Sequence, residues 1–101
     1  MNPSSEDAWR HFVTFTGRGL PLRLVSPLDG AALANRNTYF RGRFDAAGRI
    51  AACQKIVYGE LEFEHRYRYH PNGALMGVEI ITADGETESL AFDESGARLV
   101  P

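Results

Sequence analysis

Three copies of one short turn constrain this chain of 101 residues more than any other feature. Phe44-Asp45-Ala46-Ala47-Gly48-Arg49-Ile50 returns as Tyr69-His70-Pro71-Asn72-Gly73-Ala74-Leu75, and again as Phe92-Asp93-Glu94-Ser95-Gly96-Ala97-Arg98-Leu99. In each copy an aromatic residue closes an alternating run, glycine takes the fourth place of a polar turn, and an aliphatic residue opens the next run. The spacing is about 24 residues, and further turns at Tyr58-Gly59-Glu60 and Ala83-Asp84-Gly85-Glu86 halve it to about 12, one strand plus one turn. That rhythm predicts a mainly β fold built as an antiparallel meander.

The runs between the turns show which sides are buried. Tyr39, Arg41 and Arg43 alternate with Phe40, Gly42 and Phe44, which puts the phenylalanines inside. Leu61, Phe63, His65, Tyr67 and Tyr69 face one way, and Glu62, Glu64, Arg66 and Arg68 the other. Ile50 to Tyr58 is apolar on both sides, the pattern of a central strand covered twice. Met76, Val78 and Ile80 oppose Leu75, Gly77, Glu79 and Ile81, while Glu86 to Phe92 and Ala97 to Val100 are weaker and carry an edge.

Ahead of the meander, Trp9, His11, Val13 and Phe15 share one side of a strand, with Phe12 the exception. Gly17-Arg18-Gly19 is a hairpin turn, and Pro21 in the run Leu20 to Ser26 marks an edge strand because proline cannot donate to a ladder. Asp29 is an N-cap for one short helix near residues 29–36, with Leu28, Ala31, Ala32 and Leu33 turned inward. The expectation is a disordered tail at 1–8 and a single domain at 9–101. That domain is a meander of about seven strands, curled or partly closed.

A formal net charge of -2 and a pI near 5.9 remove the usual electrostatic case for nucleic acid. The single cysteine, Cys53, excludes an internal disulfide. The polar, acidic start of the chain and the lack of a long apolar run predict no membrane association and a cytoplasmic protein.

The aromatic-Asp-x-x-Gly-Arg-Ile turn at Phe44 to Ile50 resembles the tyrosine-aspartate (YD) repeat of bacterial RHS-type proteins, and is similar to the short hairpin repeats of MORN-like antitoxins. The resemblance spans residues 39–99 and implies meander geometry and a bacterial protein. It implies no activity. Trp9 to Thr38 matches neither pattern, and the second copy carries His70 where the acidic residue stands.

No acid, base and nucleophile converge in the sequence, and no cofactor motif is present, so the expectation is a non-enzymatic accessory or regulatory protein. It would bind another protein, or a second copy of itself, through a rigid sheet. Tyr39, Arg41, Arg43, Arg66 and Arg68 would form the binding face, since arginine and tyrosine are favoured at interfaces and a sheet presents them rigidly. The alternative is a ligand site at His11, His65, Tyr67 and Tyr69 inside the curl. In its metal-binding form the ligands are His11, Cys53 and His65, whose residue types suit zinc or copper. A weaker enzymatic variant uses His65 with Tyr67 or Tyr69. Against these stands a structural role for His65, hydrogen-bonded at the edge of the core to a tyrosine hydroxyl or a carbonyl.

Overall fold

The computed structural model describes residues 9–99. The tail expected at 1–8 lies outside them. Eight strands are present: β1 (Arg10–Thr16), β2 (Arg23–Pro27), β3 (Thr38–Phe44), β4 (Ile50–Val57), β5 (Glu60–Tyr69), β6 (Leu75–Thr82), β7 (Thr87–Phe92) and β8 (Arg98–Leu99). They form one antiparallel sheet in the order β2-β1-β3-β4-β5-β6-β7-β8. From β3 onward this is the expected meander. The first hairpin is inserted with β1 beside β3, so β2 becomes an edge.

The repeat has a geometric cause. In the turns beginning at Asp45, His70 and Asp93, the first residue's N–H donates to the fifth residue's carbonyl, and the glycine N–H at the fourth place donates back to the first carbonyl. Thr82–Glu86 closes in the same way, so one turn type recurs four times. Such three-residue hairpin loops need a left-handed residue at the glycine position, and Gly48 has φ 83°. The Asp copies reinforce themselves: Asp45 Oδ1 accepts from Ala47 and Arg49 N–H at 2.9 Å each, and Asp93 Oδ1 from Ser95 and Ala97 at 2.9 and 3.0 Å. Where His70 replaces aspartate, Asn72 Oδ1 accepts from Ala74 N–H, and His70 Nε2 donates to Phe92 carbonyl at 2.8 Å, tying neighbouring turns together. The β4–β5 turn is different, with Tyr58 and Gly59 both left-handed, as a two-residue hairpin requires.

β4 lies inside the sheet and is buried on both sides, with Ala52, Gln54 and Ile56 on one and Cys53 on the other, although only one side is covered by another element, the hairpin. Register places Cys53, His65 and Ile80 in one row on the concave face. β1 pairs with β3 only from Arg10 to Phe12. Beyond that point the β1–β2 hairpin folds over the concave face and lays Leu20, Leu22 and Leu24 on the cluster of Ile50, Cys53, Tyr67 and Val78. Burying such side chains contributes about 1.5–3 kcal/mol each.

This crossing corrects the expected sides of β1. Phe12 pairs with Phe40 and is buried, whereas His11 pairs with Arg41 on the opposite face. The helix α1 (Gly30–Ala34) is capped as expected, with Asp29 accepting from Ala32 N–H at 2.8 Å. It buries none of its residues, and Ala31 and Ala32 are exposed, because a single turn of small side chains has too little apolar surface to hold it on the sheet. Among the described residues no helix is long and apolar enough to cross a membrane.

Gly42 marks where hairpin and sheet come closest: a Cβ there would lie 2.7 Å from Leu24 Cδ1. The leucine tip can give way to a single methyl group, but a branched side chain overpacks the contact. Gly42→Val is therefore expected to destabilise by about 2 kcal/mol in urea unfolding, with Gly42→Ala well below that.

Candidate functional site

The convex face, opposite the hairpin, carries the arginines singled out from the sequence. Alternation puts Tyr39, Arg41 and Arg43 there from β3, and the row Arg43, Ala52, Arg66, Glu79 adds the β5 arginines to the same face. β3 and β5 are not adjacent; β4 lies between them and supplies the connecting residue. Arg41 Nε donates to Gln54 Oε1 at 2.6 Å, and Gln54 Nε2 donates to Glu64 Oε1 at 2.6 Å. Arg66 bonds the other oxygen of Glu64 at 2.5 Å and reaches Glu79 on β6 at 3.3 Å. One polar relay thus crosses four strands.

At its β3 end the relay is held by Trp9, whose ring lies 4.8 Å from the Arg41 guanidinium and 5.1 Å from that of Arg43. His11 and Tyr39 pack against each other beside it at 5.6 Å. Arg68 lies across Gly77, where a Cβ would come within 2.9 Å of its guanidinium. Burial opposes ionisation of Glu64, but hydrogen bonds from Arg66 and Gln54 and the charges of Arg66 and Arg43 outweigh it and hold its carboxyl below the usual range. Burial, then the charge of Arg41, lowers the pKa of His11. The face is cationic, ordered and solvent-facing, and no helix or strand among the described residues packs over it.

Sequence reading leads to Glu64 paired with the arginines of the polar face, since Glu60, Glu62 and Glu64 alternate there, but it missed Gln54, Trp9 and Glu79. A glutamine in a strand otherwise apolar on both sides was the available signal for Gln54. Trp9 gave none, since its contacts depend on where β1 docks.

The second candidate group is split by the sheet. Cys53 and His65 pair on the concave face, while His11 lies on the convex one. The proposed His11, Cys53, His65 metal set is therefore not brought together, nor does His11 join the ligand set of His65, Tyr67 and Tyr69. Among the described residues no group of three or more His, Cys, Asp or Glu side chains could hold a metal.

What His65, Tyr67 and Cys53 do form is a closed polar knot. The Tyr67 hydroxyl accepts from Leu22 N–H at 3.1 Å and lies 2.8 Å from His65 Nδ1 and 3.7 Å from Cys53 Sγ. A hydroxyl has one proton to give and two lone pairs. Full satisfaction has it accept from Leu22 and Cys53 and donate to His65, which is then neutral with its proton on Nε2. Burial pushes the Cys53 thiol up to about 11 and, as the first of several causes, raises Tyr67 well above the usual tyrosine range. Tyr69, raised to about 12 chiefly by burial, donates its hydroxyl to Ile50 carbonyl at 2.6 Å. At neutral pH Cys53, Tyr67 and Tyr69 keep their protons, and His65 meets the tyrosine hydroxyl that its structural counter-reading names.

Burial also lowers the pKa of His65, as it does that of His11. A histidine whose folded pKa lies below its unfolded value of 6.5 contributes stability that is complete above 6.5 and is lost as pH falls from there towards the folded pKa, because the unfolded chain takes up the proton first. Unfolding free energy in urea should therefore drop between about pH 7 and about pH 5, and His65→Gln should remove part of that slope. An unchanged slope in the variant would contradict the knot.

A family model described as a family of unknown function, DUF6156, matches residues 4–100. The chain belongs to the DUF6156 family. No curated protein and no solved structure matches it. For this DUF6156 protein the comparisons lend no support to a relation with YD-repeat or MORN-like proteins, and family membership rests on DUF6156.

Proposed function

We propose that this protein is a non-enzymatic interaction module that binds another protein through the convex face of its sheet. The polar relay carries this reading. Arg41, Arg43 and Arg66 are ordered by Trp9, Gln54, Glu64 and Glu79 before any partner arrives, so little side-chain entropy remains to be lost on binding. Four arginines against Glu62, Glu64 and Glu79, with Glu62 paired to Lys55, leave the face net cationic, which suits a partner surface bearing carboxylates. Trp9 and Tyr39 stand beside the arginines, but a chain of net charge -2 lacks the excess of cations that nucleic acid requires, which disfavours RNA.

The partner is found by affinity capture from the native host's extract, and the face is tested by NMR of the arginine Nε–H and Trp9 indole signals as that purified partner is added. Shifts confined to Trp9, Arg41, Arg43 and Arg66 are expected. A saturated complex that leaves those signals unmoved would overturn the assignment.

A further inference from the structure

Among the described residues the sheet ends at β7 and a two-residue β8. β8 pairs only with Ala91 and Phe92, so the outer side of Thr87–Leu90 meets no strand among the described residues. The two end turns fix which backbone groups point outward. Glu86 carbonyl accepts from Thr82 N–H on the β6 side, and Asp93 N–H donates to Ala97 carbonyl on the β8 side. Alternation along β7 then directs Glu88 and Leu90 to β6, and Thr87 and Ser89 outward.

The opposite edge is guarded: Ser26 is left-handed at φ 62° and Pro27 has no N–H to offer. Among the described residues the β7 edge has no such device. Its N–H and C=O groups at Thr87 and Ser89 are spaced to accept an extended chain. The side chains around it share one sign, since Asp84, Glu86 and Glu88 are exposed and none makes an ion pair among the described residues.

We propose that the β7 edge docks an extended basic segment of a partner protein, which adds to the sheet through Thr87 and Ser89 and sets lysine or arginine against Asp84, Glu86 and Glu88. This surface borders the arginine face, since Ser89 pairs with Glu79, and is of opposite charge.

Fluorescence anisotropy with a labelled peptide of alternating lysine and threonine, added to the full chain, tests the assignment. Saturable binding that weakens with added salt is expected. Ser89→Pro deletes an outward N–H without touching the β6 ladder and should weaken binding about tenfold. Glu86→Lys with Glu88→Lys should abolish it, and Arg66→Glu with Arg68→Glu, which addresses the other face, should not weaken it. Absence of binding to the wild type would overturn the proposal, as would equal binding of a glutamate-threonine peptide. A Ser89→Pro protein that melts like the wild type and binds unchanged would do the same. A wild-type dimer that Ser89→Pro dissociates would also overturn it, by giving the edge to a second copy.

Discussion

Replacing Tyr67 by phenylalanine should lower the melting temperature by about 15 °C, although it removes a single oxygen. The ring still fills its place beside Cys53 and Val78. What changes is the hydrogen bonding: Leu22 N–H, His65 Nδ1 and Cys53 Sγ all lose the hydroxyl that they share. Leaving buried groups unpaired costs about 1–3 kcal/mol each, and the sulfur contributes least, so about 3 kcal/mol is expected in all. Among the described residues the Leu22 bond is the one hydrogen bond from the hairpin tip to the meander, so exchange of the Leu22 amide should quicken as well. A melting temperature within about 3 °C of the wild type would mean that apolar contacts alone hold the hairpin down.

Reversing the convex face should have the largest effect on binding. Arg66→Glu with Arg68→Glu turns two cations into anions at the middle of the proposed interface, where truncation of a single well-packed arginine often costs 2 kcal/mol or more, about 30-fold in affinity. Arg66→Glu also sets a third carboxylate beside Glu64 and Glu79, so some loss of stability is expected together with the loss of binding. Arg66→Lys with Arg68→Lys separates the two effects. Charge is kept while the planar fork that bonds Glu64 is lost, so stability should barely move while affinity falls by a smaller factor.

The meander was legible because its signals are local. A turn that needs a left-handed residue at a fixed place writes glycine there, and Asp45 and Asp93 announce their own backbone bonds. Alternation likewise places Phe40, Phe63 and Tyr67 on the buried side and Arg41 and Arg66 on the other. The first strand was harder. Its side is decided by where the hairpin lands on residues more than 40 positions away, as Leu22 does on Tyr67, and no local pattern carries that contact. Local alternation therefore makes Phe12 the exception on its own strand and turns His11 inward, whereas Phe12 is buried and His11 lies outward.

The candidate site divides in the same way. That Tyr39, Arg41, Arg43, Arg66 and Arg68 share a face follows from strand parity. That Gln54 links the two arginine pairs depends on the register of β4 against both neighbours, which alternation alone leaves open. The counter-reading of His65 as a satisfied side chain came closer to its geometry than the metal set did. That set needed His11 to cross the sheet.

The most direct test of the interaction reading is a binding isotherm of the captured partner against the wild type and against Arg66→Glu with Arg68→Glu, each shown folded by its melting curve. The account predicts a saturable wild-type complex and a loss of about 30-fold or more in the variant. Equal affinity for the two proteins would contradict it and remove the convex face as the binding surface.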